Sequence, residues 1–474
     1  MLPKAITCGV RDDILGDIFG HGGGRYNRAM TPRELATQIC ATLRASGHQA
    51  YLVGGCVRDV VLGREPADFD VATDALPARV QELFPDSIDV GARFGVILVV
   101  EDGARVEVAT FRSDVGYSDG RHPDRVEYSR SPEEDVRRRD FTINGMMLDT
   151  VTGEVLDFVG GQEDLRAGVV RAIGAPEQRF REDKLRMVRA VRFAARLGYQ
   201  IEAATVAAIQ AAAPEVTRIS AERLRDELTK LLTEGAARRG FELLDETRLL
   251  ETLLPEVARM KGVAQPPQFH PEGDVWIHTR MMLEGLTAGA TPTLAWGVLL
   301  HDVGKPPTFA SAEQTGDRIR FDGHAEIGAR MAAEICGRLR FATRDAEQIE
   351  ALVANHMRFK DVLQMRPATL KRFVRLERFE EHLELHRLDC LASHGNLDAY
   401  EFVSRFVRET PPEEVRPARL VTGADLKSMG LSPGPQFKEI LQAIEEAQLD
   451  GRLRARDEAL DFVLRHYIPG ATPS

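Results

Sequence analysis

Two sets of side chains in this 474-residue chain have types and spacings that could do chemistry. The first lies in Tyr51 to Asp70, YLVGGCVRDVVLGREPADFD. Tyr51 to Val53 is apolar and β-prone, Gly54-Gly55 breaks it, and Val57 to Leu62 has helical spacing, which predicts strand, tight turn and short helix. Asp68-x-Asp70 follows. On a strand from Asp68 to Ala72, residues i and i+2 face one way, so two carboxylates stand side by side as a hard-oxygen site for Mg²⁺. The glycines let backbone N–H groups approach a triphosphate, and Arg58 adds a phosphate-facing cation. The chemistry implied is phosphoryl transfer. The second set is His278, His301-Asp302, His324, His356 and Asp389, residue types that ligate transition metals.

The elements that must position these residues follow from local pattern. Thr31-Pro32-Arg33-Glu34 is a capping box with proline at N1 and predicts a helix to about Ser46. Pro77 to Phe84 reads as a helix, and Phe94 to Val100 and Ala104 to Phe111 as strands joined at Asp102-Gly103. Glu107 lies on the second strand. It is a third carboxylate if that strand lies beside the Asp68-x-Asp70 strand, and otherwise an outward-facing glutamate. Ser113 to Ser131 is polar, Gly-rich and non-periodic, hence a loop. Arg137 to Arg139 is either a solvated basic face or, with the alternation that follows it, part of a nucleotide pocket. Arg181 to Leu197 reads as one helix with Leu185, Val188 and Phe193 toward a core and Arg186, Arg189 and Arg192 at every third position. Ile201 to Met260 is an all-α neck broken at Pro214. The Pro-rich Gln265 to Gly273 marks a domain boundary. After it, His301-Asp302 ends the apolar run Leu294 to Leu300. In the tail, Gly430 to Pro435 is a turn between helices, either punctuation or a set of backbone N–H groups for an RNA phosphate.

GGCVRD followed by DFD resembles the signature of the nucleotidyltransferase superfamily of DNA polymerase β type, in its branch of CCA-adding enzymes and bacterial poly(A) polymerases. RRDFTIN at 138–144 matches that family's second motif, and Glu182-Asp183-x-x-Arg186 resembles the motif that reads the incoming base. Lys184 and Gly145 depart from it, where proline and alanine are common. The resemblance implies that Asp68 and Asp70 hold Mg²⁺ and that Gly54, Gly55 and Arg58 hold the triphosphate. It places Asp140 and Asn144 at the sugar, Arg139 near the nucleotide, Asp183 and Arg186 at the base, and Arg189 and Arg192 at phosphates or base. Donor and acceptor logic agrees. An ionised Asp only accepts and an Arg only donates, which matches the N4/N3 edge of cytosine and the N6/N1 edge of adenine. Uracil and guanine present the reverse order, at roughly 1 to 3 kcal/mol for each group left unsatisfied.

The histidine set is similar to an HD-type phosphohydrolase domain. That likeness makes His278, His301, Asp302 and Asp389 the core ligands of a divalent metal (Mn, Ni, Co, Fe or Mg). His324 and His356 match the extra ligands of two-metal members, which clamp attacking and leaving oxygens during phosphate-ester hydrolysis.

The fold class expected is a multidomain chain: an α/β nucleotidyltransferase head with a small mixed sheet, then an all-α neck, an HD domain and a helical tail. The boundaries are 1–30 extension, 31–160 head, 161–264 neck, 265–400 HD domain and 401–474 tail. Apolar content of 43% supplies real cores. A net charge of -11 argues against diffuse nucleic-acid binding and implies RNA contacts confined to local Arg-rich faces. Scattered cysteines, no membrane-length apolar run and no signal-peptide pattern in Met1 to Met30 predict a cytoplasmic protein. The function expected is template-independent CCA addition to tRNA from CTP and ATP, with phosphohydrolase activity in the HD domain. The rivals are an A-adding enzyme or poly(A) polymerase, and an HD phosphohydrolase with an inactive head.

Overall fold

The computed structural model of the protein describes residues 30–91, 95–115 and 125–468. The extension at 1–30, except Met30, and the middle of the 113–131 segment lie outside the described residues. The chain divides into two compact units. One runs to Leu231 and takes in Arg239–Leu253; the other is Leu232–Arg238 with the chain from Leu254 on.

The first unit begins with α1, Pro32–Ala45, whose Thr31 and Glu34 form the expected capping box. Its first nine strands in chain order are β1 (Ala50–Val53), β2 (Asp70–Thr73), β3 (Ile88–Gly91), β4 (Val96–Glu101), β5 (Ala104–Thr110), β6 (Arg112–Val115), β7 (Arg125–Tyr128), β8 (Met146–Leu148) and β9 (Val155–Asp157). Seven of them make one sheet in the order β3-β4-β5-β2-β1-β8-β9. Only the β2–β5 pair is parallel, so the sheet is mixed. Side chains alternate along β5: Val106 and Val108 are buried, Arg105 and Glu107 exposed.

Three expectations need correction. β2 begins at Asp70, not Asp68. Its antiparallel ladder with β1 ends at Val53↔Asp70, because Gly54, at φ 78°, turns the chain away and leaves Asp68 no strand to pair with. The 113–131 loop contains paired arms, Arg112↔Tyr128 to Val115↔Arg125, hidden in the sequence by their polar composition. The helix read from Arg181 is two helices, α2 (Pro176–Glu182) and α3 (Leu185–Leu197). Asp183 between them is extended, and its carboxylate accepts from the Leu185 N–H at 3.0 Å, the capping habit of aspartate overriding helix continuation.

Gly145 has a packing reason. A Cβ there would lie 2.8 Å from Val159 Cγ2 and 3.0 Å from Ile173 Cδ1. Gly145→Ala should therefore destabilise the first unit by about 1 to 3 kcal/mol, read as a lower urea midpoint; an unchanged midpoint would show that these side chains move aside freely.

The second unit is helical. Val275–Glu284, Pro292–Leu300, Thr343–Asn355 and Phe379–Ala392 pack on one another, and His324–Arg338 packs on Thr343–Asn355. Pro292–Leu300 is the core helix: its residues from Thr293 to Leu300 are all buried. The tail helices Gly423–Ser428, Pro435–Leu449 and Arg456–Tyr467 close over Val421, Leu426, Ile440, Ile444 and Val463. Thr422 caps the first of them with Asp425. No described helix is long and apolar enough to cross a membrane.

Candidate active sites

The parallel register sets Asp70 beside Glu107. Residues directly opposite on neighbouring strands share a face, so Glu107 joins Asp70 on one face of the sheet. Burial raises the Asp70 carboxyl to about 6; Glu107 and Asp68 add to the rise, and Arg139 opposes it. The cluster is thus three mutually repelling carboxylates. A site of that kind, all hard oxygen with excess negative charge, fits Mg²⁺. Gly54 keeps its mouth open: a Cβ there would lie 3.4 Å from Arg139 Nη1 and 3.9 Å from Asp70 Oδ2.

Behind the carboxylates runs a chain of charged groups. Arg58, 3% exposed, donates to Asp59 at 2.9 Å and to Asn144 Oδ1 at 2.8 Å. Asn144 donates to Asp140, which also accepts two bonds from Arg189 at 2.9 and 2.7 Å. Arg192 is buried and donates to Glu227 at 2.6 Å. Arg139 and Arg138 both hold Asp135, whose carboxylate is fully buried. Burial raises the Asp135 carboxyl, but these two guanidiniums prevail and hold it below the usual range. Arg58 and Arg192 are therefore committed to protein carboxylates and amides, while Arg139 and Arg189 stay partly exposed.

Asp183 and Arg186 do not pair through their side chains. Arg223, on the helix Ala221–Thr233, donates to both Asp183 oxygens, at 2.6 and 3.2 Å. Arg186 donates to Glu182 at 2.8 Å and to the carbonyls of Arg138 and Arg179 at 2.9 and 3.3 Å. With the Leu185 N–H, three acceptor sites of Asp183 are taken out of about four. Arg223, Glu227 and Asp135 escaped sequence reasoning: Arg223 and Glu227 meet Asp183 and Arg192 from far along the chain, and Asp135 lies outside the motifs.

In the second unit, each of the four histidines has its Nδ1 against an acceptor. The partners are Glu272 Oε1 for His278 at 2.7 Å, and the carbonyls of Val298, Phe321 and Val353 for His301, His324 and His356 at 2.8, 2.8 and 2.6 Å. Acceptors there favour Nδ1–H, so each ring, when neutral, turns a bare Nε2 inward; burial lowers His278, but Asp389 and Glu272 prevail and, with no cation between them, raise it to about 9. Nε2 of His278 and His301 is buried without a hydrogen-bond partner, 3.2 Å from Asp389 Oδ1 and 3.1 Å from Asp302 Oδ2. Nε2 of His324 and His356 face each other at 3.2 Å, with Asp302 Oδ1 at 3.7 and 3.8 Å. Burial holds both of these rings below the ordinary histidine range, His356 at about 4. Lone pairs facing lone pairs and carboxylates call for cations between them. His278, His301 and Asp389 form one candidate ligand group, and Asp302, His324 and His356 a second. Asp302 turns one oxygen to each. The helix bearing His324 reaches this close because residue 304 is glycine; a Cβ there would lie 2.1 Å from the His324 carbonyl oxygen.

The Pro-rich 265–273 stretch is more than a boundary. Gln265, 4% exposed, accepts from Lys305 at 2.6 Å, and Glu272 holds both His270 and His278. His270-Pro-Glu272, ahead of His278, was the signal available.

Family models match the chain in the same places: poly(A) polymerase head domain at residues 50–171, a probable RNA-binding site of the polymerase at 198–261, and HD domain at 274–389. The CCA-adding enzyme of Levilactobacillus brevis is 32% identical over 428 residues, 90% of this chain and 96% of that one. The chain belongs to the family of CCA-adding enzymes. Family members differ in how far they align. With the Lactiplantibacillus plantarum enzyme identity reaches 42%, but the alignment spans 50% of this chain and 59% of that relative. The Bacillus stearothermophilus CCA-adding enzyme, in a crystal structure with CTP, matches at a TM-score of 0.71 and 29% identity, covering 91% of this chain and 97% of that one. The architecture expected, an α/β head followed by helical parts, is the one this family has.

Proposed function

We propose that this chain adds CCA to tRNA 3′ ends from CTP and ATP, and that its HD domain hydrolyses phosphate esters. The observation that carries the first part is the Asp70↔Glu107 register with Arg139 across Gly54. In this reading residues 31–160 are the head, 161–264 the neck, 265–400 the HD domain and 401–474 the tail, in a cytoplasmic protein. Mg²⁺ held by Asp68 and Asp70, with Glu107 beside them, would activate the 3′-hydroxyl and neutralise the leaving pyrophosphate. Gly54 and Gly55 give the triphosphate room against the backbone, and Arg139 sets a cation beside it. Arg58 acts by holding Asn144 and, through it, Asp140, which orient the sugar; Arg189 steadies Asp140 from the neck side.

Arg223 and the Leu185 N–H leave Asp183 one acceptor site, enough for the amino N–H of cytosine or adenine. Arg186 keeps donors beyond those bound to Glu182 and the two carbonyls, and these meet the ring nitrogen. Arg416, Arg419 and Lys438 rim an open tail cavity floored by Leu420, Phe437 and Leu441, a local basic face suited to tRNA.

The test is addition to tRNA transcripts ending before CCA, after C and after CC, each given CTP, ATP or both. Stepwise completion of CCA followed by a halt is expected. Addition of A alone to the CC-ended tRNA, or long A tails on any RNA, would replace this reading by the corresponding relative. Asp183→Asn, which exchanges an acceptor for a donor, should cut the preference for CTP over UTP by roughly tenfold or more. An unchanged preference would remove Asp183 from base reading.

For the HD domain the carrying observation is the four inward Nε2 atoms around Asp302 and Asp389. Its metals, of the Mn, Ni, Co, Fe or Mg type, would polarise the phosphate and activate water. Lys305, 2.7 Å from Asp302, balances that buried carboxylate.

A further inference from the structure

β4 is apolar at every position from Val96 to Val100, yet only Ile97 and Val99 are buried there. A strand buried on one face alternates apolar with polar residues, so Val96, Leu98 and Val100 form an apolar row that the core does not require. The row lies on the side of the sheet that holds the carboxylates. Ile88, Leu98, Glu107 and Asp70 stand opposite one another in turn across β3, β4, β5 and β2. Leu98 and Ile88 therefore continue the carboxylate row outward as a ledge, and Ile88 is 52% exposed. Neighbouring strands lie roughly 5 Å apart, so the ledge runs roughly 10 Å beyond Glu107, the size of one nucleotide. Arg105 stands on the same face of β5, two residues from Glu107 and opposite Val100. It is exposed, and no carboxylate pairs with it among the described residues.

In-line displacement puts the attacking and leaving oxygens on opposite sides of the phosphorus. In the reading above the triphosphate lies toward Gly54 and Arg139. Gly54 follows β1, on one side of β2, while β5, β4 and β3 lie on the other. The attacking 3′-oxygen must then arrive over β5, with its own nucleotide on the ledge. Three carboxylates repel an RNA end, so a polyanion that comes this close needs a cation on its side of the site. Arg105 is roughly 7 Å along the strand from Glu107, about the span of one sugar from its 3′-oxygen to its 5′-phosphate.

We propose that Leu98 and Ile88 seat the sugar and base of the tRNA's 3′-terminal nucleotide and that Arg105 holds the phosphate on its 5′ side. The inference rests on the CCA-adding reading given above and assigns the half of the site that takes the RNA end rather than the incoming CTP or ATP. An aliphatic floor makes no hydrogen bonds to base edges, so one seat accepts whichever nucleotide ends the RNA at each step.

The test uses tRNA ending in CC, either unmodified or with its last phosphodiester made a methylphosphonate, which removes that one charge. With ATP as the nucleotide, wild type should show a KM for the modified tRNA roughly tenfold above that for the normal one. Arg105→Ala should raise KM for normal tRNA by about the same factor, leave KM for ATP within about twofold and no longer distinguish the two tRNAs. Arg105→Lys should restore most of the loss. Ile88→Ser, at an exposed position, should raise KM for tRNA roughly threefold with kcat within about twofold. An Arg105→Ala protein that still distinguishes the two tRNAs, or a rise in KM for ATP in place of tRNA, overturns the seat. So does an unchanged tRNA KM in Ile88→Ser; a lower sedimented mass for that variant would then give this edge to a second copy of the chain. Filter binding of the two tRNAs without nucleotide needs no turnover. Absence of any addition by wild type would sink the CCA-adding reading, and the binding comparison would still decide the role of Arg105.

Discussion

Asp70→Asn should lower nucleotide addition by at least about a thousandfold while CTP still binds. The size follows from what the carboxylate does in the proposed site. A metal clamp on phosphoryl oxygens supplies several kcal/mol of charge stabilisation in the transition state, and each 1.36 kcal/mol is tenfold in rate. Asparagine keeps the shape and a neutral oxygen but removes the charge that Glu107 and Asp68 share with it. Binding should survive because the groups proposed to hold the triphosphate and base, Gly54, Arg139, Asp183 and Arg186, are untouched. Rates of CMP incorporation into tRNA, measured beside equilibrium dialysis of CTP, check both halves. Addition within tenfold of wild type would show that Asp70 is not a metal ligand. Loss of CTP binding along with addition would mean that the substitution had disturbed the pocket rather than the chemistry.

Local motifs are legible in the sequence, and the long-range pairings that join them are not. Gly54-Gly55 is a local pattern, and the strand before it and the helix after it lie where the spacing puts them; Asp68-x-Asp70 holds only in part, since the strand begins at Asp70. Glu107 was undecided because strand alternation says which face a residue takes only once the neighbouring strand is known. The parallel β2–β5 pairing that decides it joins segments separated by a helix and two further strands. Asp183 shows the opposite failure. Helical periodicity through Arg181 to Leu197 is strong, yet one carboxylate that caps Leu185 splits it, and the partner that then holds Asp183 comes from forty residues downstream. In the second unit the ligand types were legible one by one. That Asp302 faces both halves of the cluster, and that Glu272 fixes His278, depends on how five helices converge, which no spacing encodes.

That convergence makes Asp302 the residue whose loss costs the HD site most. One oxygen lies 3.1 Å from His301 Nε2, and the other 3.7 and 3.8 Å from His324 and His356 Nε2. Asp302→Asn therefore weakens both candidate ligand groups at once, and the protein should retain well under half of its bound divalent metal and hydrolyse no phosphate ester, while nucleotide addition stays within about twofold. His324→Ala touches only the second group and should lose about half as much metal, the ratio a shared Asp302 requires. The substitution has a second consequence. Lys305, 6% exposed, loses the carboxylate 2.7 Å from its ammonium and keeps Gln265 and the face of Phe321, and stranding one member of a buried pair costs about 3 to 5 kcal/mol. Asp302→Asn with Lys305→Met removes both charges and should recover most of that stability without recovering metal. Metal content by atomic emission, read against urea midpoints for the three variants, separates ligand loss from unfolding. If Asp302→Asn keeps its full metal complement, the carboxylate is a partner of Lys305 alone. If the double variant regains metal together with stability, the single variant lost it by unfolding, and the shared-ligand geometry is wrong.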